Sequence, residues 1–255
     1  MSEHDKPLII SDATQLHHPA TRRGFLRALG VGGAVVLLPS VFAACSDATS
    51  PTADPEVNAA GRPVQAVTLD LATDTGILNY AYALEQLEAG FYQTVVERSN
   101  FATLIPSADE REVLTDLRNH EVIHREFLRQ ALGTAAIPAL SVNFTPLLGS
   151  RASVLGAARQ FEDLGVAAYN GAGQYLDSAD LLRLAGKIVS VEARHAAAIR
   201  DILDTTGRAF ADNTFETILD TNAIERALTP AQVLSAVGST GIVRNPISIG
   251  SQPTL

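Results

Sequence analysis

The chain has 255 residues, 46% of them hydrophobic and 18% charged, which is enough to bury the core of one medium-sized domain with appendages. The formal net charge of −9 leaves no basic surface for a phosphate backbone and argues against a nucleic-acid partner. A single Cys excludes an internal disulfide framework and any four-Cys zinc or iron–sulfur site. His and carboxylate side chains are therefore the candidate metal ligands.

Residues 1–45 have the features of an export signal. The pair Arg22 and Arg23 precedes Phe25 and a mild apolar run from Ala28 to Leu38. This run is shorter than the about 20 apolar residues that cross a bilayer. The Arg pair is similar to a twin-arginine signal, a route that carries chains already folded. We therefore expect export to the periplasm or cell envelope.

A candidate lipid anchor and a tether follow the apolar run. The segment Val41–Cys45 resembles a lipoprotein box in which Cys45 would be acylated and attached to the membrane. Phe42 stands where Leu is usual, so ordinary cleavage after a small residue is the alternative. Residues 46–66 are rich in Pro, Ser, Thr, Ala and Asp and lack apolar periodicity, which predicts a flexible tether.

Four long segments with helical periodicity follow the tether, and strand signals are nearly absent, so we predict an all-α fold. The predicted helices cover residues 75–98, 108–132, 151–175 and 179–205. Their predicted N-caps are Asp74, Ser107, Ser150 and Ser178. Ser107 and Glu110 form a predicted capping box, and Gly133 and Gly207 stop the second and fourth helices. The predicted bundle domain spans residues 67–207.

Polar residues interrupt the apolar seam of every helix near its middle. The first seam contains Glu85, Glu88 and Tyr92, the second Glu121 and His124, the third Glu162 and Tyr169, and the fourth Glu192 and His195. The two Tyr each follow a seam Glu by seven residues. Because a carboxylate isolated in a helical core costs several kcal/mol, carboxylates at matching depth require compensating charge.

Two divalent cations would balance four of these carboxylates. The Glu-x-x-His spacing, present twice, places both side chains on one helix face, where they reach one metal pair. Hard oxygen ligands with two imidazoles suit iron or manganese. The sequence therefore predicts a dinuclear site with two Fe ions, or alternatively Mn, between the helices.

Connection lengths agree with a four-helix bundle. The short links after the first and third helices predict antiparallel neighbours, whereas the 17 residues from Gly133 to Gly149 form a long link. The second helix is about 37 Å long, and 17 extended residues reach about 55 Å, so this link can cross the whole bundle.

The ligand pattern matches the dinuclear carboxylate motif of ferritin-like four-helix proteins. The matching residues are Glu85, Glu121-x-x-His124, Glu162 and Glu192-x-x-His195, and the resemblance covers about residues 74–205. The first helix, Leu84-Glu85-Gln86-Leu87-Glu88-Ala89-Gly90-Phe91-Tyr92, is similar to that of exported stand-alone ferritin-like proteins grouped with a desiccation-related plant protein. The resemblance implies a ferritin-like bundle with a long crossover between its second and third helices.

The resemblance also implies roles for the ligands. Glu85 and Glu162 would each bind one metal, Glu121 and Glu192 would bridge the pair, and His124 and His195 would each bind one ion. Tyr92 and Tyr169 match tyrosines that, in bacterioferritin-like sites, hydrogen-bond the terminal Glu of the opposite helix. The alternative for both Tyr is plain core packing.

Glu88 is a further candidate catalytic residue, beside the two Tyr. Its counterpart on the third helix is Gly165, which leaves room, and rubrerythrins carry a comparable seventh carboxylate. By that analogy Glu88 would exchange with a His at the metals during peroxide reduction; the alternative is a supporting or solvent-facing carboxylate. His120 lies off the seam and is predicted to be a surface residue.

Residues 208–255 form a predicted C-terminal extension. Thr229 and Gln232 begin one short helix that ends at Val237, and we expect the extension to pack across one end of the bundle. No Cys-x-x-Cys pair accompanies the bundle, so any electron donor is external.

Three functions fit this sequence. The first is an exported oxidoreductase whose dinuclear site reacts with O2 or H2O2 in stress protection. The second is a ferroxidase that feeds an iron store; the tether and irregular tail argue against a closed cage and are compatible with a homodimer. The third is a non-enzymatic envelope stress protein with a structural metal site.

Overall fold

Four long helices dominate the computed structural model, which describes residues 64–204 and 224–252. In chain order the elements are β1 (Val67–Asp70), α1 (Asp74–Val96), the one-turn helix α2 (Phe101–Leu104), α3 (Ala108–Leu132), α4 (Arg151–Ala172), α5 (Ala179–Leu203), α6 (Pro230–Ser239) and β2 (Ile247–Ser251). The all-α prediction is confirmed, and each long helix begins and ends within three residues of its predicted bounds. The export signal, Cys45, most of the tether and the stop at Gly207 lie outside the described residues.

Helix caps follow the sequence with two corrections. Ser107, Ser150 and Ser178 accept the predicted backbone N–H at the starts of α3, α4 and α5. The predicted cap of α1 was wrong: Thr73 accepts the N–H of Gly76, because its backbone is extended whereas residue 74 is already helical. The carboxylate of Asp74 instead accepts the N–H groups of residues 177 and 178, which fixes the α4–α5 connection to the start of α1.

The second correction concerns Glu110. Its side chain does not close a capping box but accepts two hydrogen bonds from Arg151, both 2.7 Å long. A bidentate guanidinium is a stronger donor than a backbone N–H, and this ion pair joins the start of α3 to the start of α4.

The long helices form two antiparallel pairs, α1 with α3 and α4 with α5. Residue 85 contacts residue 169 while residue 92 contacts residue 162, so α1 and α4 are also antiparallel. The crossover after α3 runs along α1: its backbone bonds first to Asn79 and then to Gln86, and Phe144 lies against Gly90. The long-crossover prediction is confirmed.

The described part of the C-terminal extension lies along the flank of the bundle, and not only across one end as predicted. Helix α6 packs on α4, and Val233 and Val237 share a core cluster with Leu84 and Leu87 in the middle of α1. Strand β2 pairs in parallel with β1, which leads into α1. The sequence pattern missed this sheet because each strand is short and its partner is about 180 residues away.

Apolar layers enclose the middle of the bundle. Leu117 and Leu128 are buried before and after the predicted ligands of α3, and Ile188 and Ile199 are buried in the same way on α5. These layers separate the polar seam residues from water at both ends of the bundle. Among the described helices, none has an apolar stretch long enough to cross a membrane.

Candidate metal centre

All six predicted metal ligands meet in the centre of the bundle. They are Glu85 on α1, Glu121 and His124 on α3, Glu162 on α4, and Glu192 and His195 on α5. The four carboxylates are 0% exposed, and the two His side chains are 4% (His195) and 12% (His124) exposed. Four helices therefore deliver four fully buried carboxylates to one place.

Most of the ligand atoms have no hydrogen-bond partner. The unpaired buried atoms are Oε2 of Glu85, both oxygens of Glu121, Oε2 of Glu162, both oxygens of Glu192, and Nδ1 of His124 and of His195. Nδ1 of His195 lies 2.6 Å from Oε1 of Glu121, but the contact lacks hydrogen-bond geometry. Buried polar atoms are normally paired, so eight unpaired lone-pair donors converging on one space indicate a site for cations.

These atoms form two overlapping groups, and in each group one ligand atom per residue lies within 4.8 Å of the others. The first half-site comprises Glu85, Glu121, His124 and Glu192. The second half-site comprises Glu121, Glu162, Glu192 and His195. Glu121 and Glu192 belong to both, as bridging ligands would, while each half-site has one Glu and one His of its own.

Two tyrosines hydrogen-bond Glu85 and Glu162, the two carboxylates that each belong to one half-site only, and each Tyr lies on the opposite helix. The hydroxyl of Tyr92 donates to Oε1 of Glu162 and that of Tyr169 donates to Oε1 of Glu85, each at 2.6 Å. Each Glu therefore directs one oxygen to a Tyr and its unpaired oxygen into the site. Burial, followed by the neighbouring carboxylates, raises the pKa of both phenols well above the ordinary value, so both remain donors.

The buried carboxylates of the cluster repel one another. Burial and then the charge of Glu192 raise the pKa of Glu121 well above its usual range, and burial raises that of Glu162 to about 7. Burial alone would lower the pKa of His195, but the carboxylates outweigh it and raise that pKa to about 12. The site thus has a strong affinity for positive charge, which a proton on His satisfies in part and a divalent cation satisfies more fully.

Glu88 lies at the wall of the site. It is 4% exposed, and its Oε1 would be only 2.7 Å from a Cβ at position 165, so Gly165 provides the space that the sequence predicted. Burial and then the four ligand carboxylates raise its pKa well above the usual range. Because Glu88 is buried, the solvent-facing alternative is wrong. It belongs to neither half-site group, which leaves a supporting or exchanging role.

His120 lies at the surface, as predicted, and also contacts a ligand. Its ring is exposed, as expected, but its Nδ1 lies 2.9 Å from Nε2 of His195 on the neighbouring helix. Periodicity along α3 could not reveal this contact, because it depends on where α5 places its own His.

The donor set fits a pair of divalent ions. Carboxylate oxygens outnumber the two imidazole nitrogens, and thiolates are absent, a combination that suits iron or manganese. Four carboxylate charges and two dications balance. The unpaired atoms and this charge balance show that the residues present could hold metal ions.

Family comparison agrees with this geometry. The family model described as a ferritin-like domain matches residues 73–205, more than half of the chain and all of the bundle. The chain belongs to the ferritin-like family. No curated protein matches it.

Proposed function

We propose that this protein is an exported oxidoreductase with a dinuclear iron or manganese site that reacts with O2 or H2O2 in stress protection. The observation that carries the proposal is the convergence of eight unpaired, buried ligand atoms in two overlapping groups. A structural carboxylate cluster would pair its oxygens with donors, whereas this one leaves them directed at a common space.

The chain's own residues define how the ions would be held. Glu85 and His124 would bind one ion, Glu162 and His195 the other, and Glu121 and Glu192 both. When bound, the two ions would supply a redox-active centre for O2 or peroxide. The ligand set accepts either metal, so availability decides between iron and manganese.

The surrounding side chains orient the ligands and exclude water from them. Tyr92 and Tyr169 fix the terminal carboxylates through hydrogen bonds from opposite helices. The apolar layers formed by residues such as Leu117 and Ile188 exclude bulk water, which strengthens every electrostatic interaction inside the site.

Protons have a defined source within the site. Reduction of H2O2 to two waters consumes two protons and two electrons, and the electrons would come from an external donor. Burial and then the four ligand carboxylates raise the pKa of Glu88 well above its usual range, which favours its protonated carboxyl. Tyr92, one helical turn further along α1, holds a proton on its hydroxyl. Glu88 and the two tyrosines are therefore the residues proposed to hold and move protons.

A small oxidant would approach between α3 and α5. On this side the exposed ring of His120 and the 12% exposed side chain of His124 are the least covered parts of the centre. Export by a twin-arginine route, membrane attachment through Cys45 and a homodimer belong to the same proposal and rest on the sequence alone.

The first experiment measures metal content per chain, by elemental analysis of protein exported in its native host, together with H2O2 consumption in the presence of an added reductant. We expect two iron or manganese ions per chain and turnover of H2O2. The double variant Glu121→Ala/His124→Ala removes a ligand shared by both half-sites, so it should bind neither ion and show no turnover.

The matched control is Glu126→Ala/Arg129→Ala, which has the same spacing on the outer surface of α3. It should keep both ions. Two ions retained by the Glu121/His124 variant would show that the site is wrongly assigned. Wild-type protein that holds two ions and melts lower without them, yet turns over neither oxidant, would establish the structural-metal alternative instead.

A further inference from the structure

The two His ligands differ on the side that faces away from the carboxylates. Nε2 of His195 lies 2.9 Å from Nδ1 of His120, and the two rings meet edge to edge, with centroids 5.1 Å apart and an interplanar angle of 21°. His124 is related to His195 by the internal repeat of the Glu-x-x-His motif. The residue that corresponds to His120 in that repeat is Val191, which has no hydrogen-bonding side-chain atom.

This contact determines which nitrogen of His195 carries the proton. A neutral imidazole has one N–H, and a nitrogen that binds a metal must offer its lone pair. Nδ1 of His195 is the atom directed at the carboxylates, at 2.6 Å from Oε1 of Glu121, so the metal-binding tautomer carries its proton on Nε2. That N–H then donates to Nδ1 of His120, which accepts.

The same contact holds the ring of His195 in place. The side chain of His195 is 4% exposed, its Nδ1 faces the carboxylates, and its Nε2 is held by the contact with His120. His124 is 12% exposed, and its Nδ1 lies 2.8 Å from Oε1 of Glu192. Of the two His ligands, only His195 is therefore held by a second imidazole at the nitrogen that faces away from the carboxylates.

We propose that His120 is a positioning residue that makes the two half-sites unequal. It sets the tautomer and orientation of His195, so that the second half-site, with Glu162 and His195, binds its ion more tightly than the first, with Glu85 and His124. A partner that orients a His ligand typically contributes 10–100-fold in metal affinity. This inference rests on the proposed function, in that both half-sites must bind metal.

Stepwise anaerobic titration of the metal-depleted full chain with Co²⁺, followed by visible absorption and calorimetry, tests the proposal. Wild-type protein should bind two ions in two resolved steps. The variant Glu162→Gln should weaken the tighter step and Glu85→Gln the weaker one, which assigns each step to a half-site.

His120→Ala should weaken the tighter step about 10–100-fold and leave the weaker step nearly unchanged. His120→Asn keeps an acceptor near the position of Nδ1 and should recover most of the loss, a rescue that a purely structural role would not give. The matched control Val191→Ala should change neither step, and the melting temperature of metal-depleted His120→Ala should equal that of the wild type.

An unchanged tighter step in His120→Ala, or equal weakening of both steps, would overturn the inference while leaving the metal site in place. A wild-type chain that takes up no Co²⁺ would overturn the metal site itself, and this inference with it.

Discussion

The bundle consists of two similar halves, α1 with α3 and α4 with α5, that differ outside the ligands. Each half supplies one terminal Glu, one Tyr seven residues later and one Glu-x-x-His motif, and the two Tyr–Glu hydrogen bonds are both 2.6 Å long. The halves differ in the residues around these ligands: Glu88 stands against Gly165, and His120 corresponds to Val191. The repeated part builds the candidate metal site, and the unrepeated part makes its two sides chemically distinct.

The halves also differ on their outer flanks. Gln86 of α1 accepts a hydrogen bond from the crossover backbone. The matching residue of α4, Asp163, instead accepts hydrogen bonds from Nε and Nη2 of Arg200, at 2.8 and 2.5 Å. Arg200 is fully buried, whereas the matching Arg129 of α3 is half exposed. The flank of the first half thus bonds the crossover, whereas in the second half the same position forms an ion pair between its own two helices.

The largest expected loss of stability distinguishes Arg200 from Arg129. Arg200→Ala removes one partner of a buried, bidentate ion pair and should lower the free energy of unfolding by about 3–5 kcal/mol. Arg129→Ala removes an exposed ion pair and should cost about 0–1 kcal/mol. Urea unfolding of both metal-depleted variants measures the difference. Equal losses would show that the Asp163–Arg200 pair is no more important than a surface pair.

An intermediate effect tests where the halves are alike. Tyr92→Phe and Tyr169→Phe each leave a buried carboxylate oxygen without its donor, at a cost of about 1.5–3 kcal/mol. Because the two hydrogen bonds have the same length and both are buried, the losses in metal-depleted protein should be similar. Tyr175→Phe, in a half-exposed position, is the control and should cost little. Clearly unequal losses for the first two variants would contradict the equivalence of the terminal carboxylates.

The smallest effect tests where the halves differ, at Glu88. Its folded pKa is raised, so above the unfolded value near 4.3 the folded chain keeps a proton that the unfolded chain releases. Stability of the metal-depleted protein should therefore fall as pH rises, by about 1.4 kcal/mol per pH unit from this group. Glu88→Gln carries no such proton and should lower the slope between pH 5 and 6 by that amount.

Unfolding in urea at several pH values gives this slope. The control variant Glu97→Gln, at an exposed position directly after the last residue of α1, should leave this slope unchanged. If Glu88→Gln has the wild-type slope, Glu88 is ionised in the folded protein and cannot be the proton source proposed above.

Local chemistry explains why much of this structure could be predicted. Helix starts at Ser107, Ser150 and Ser178 follow from side chains that accept a backbone N–H three residues away. The ligand residues could be identified because a Glu in the middle of an apolar seam has no local explanation, and because i and i+3 share a helix face. Such information lies within one turn of one helix, where the sequence is sufficient.

The remaining features depend on contacts between distant segments. The pairing of β1 with β2, the bond of Asp74 to the α4–α5 connection and the ion pair of Glu110 with Arg151 each join residues at least 41 positions apart. The same holds for His120, whose distance from His195 depends on how α3 and α5 are placed side by side. The sequence alone determined the helices, the family motif and the candidate ligands. The tertiary structure decided which buried atoms stay unpaired and which His contacts a second imidazole, because both depend on the packing of separate helices.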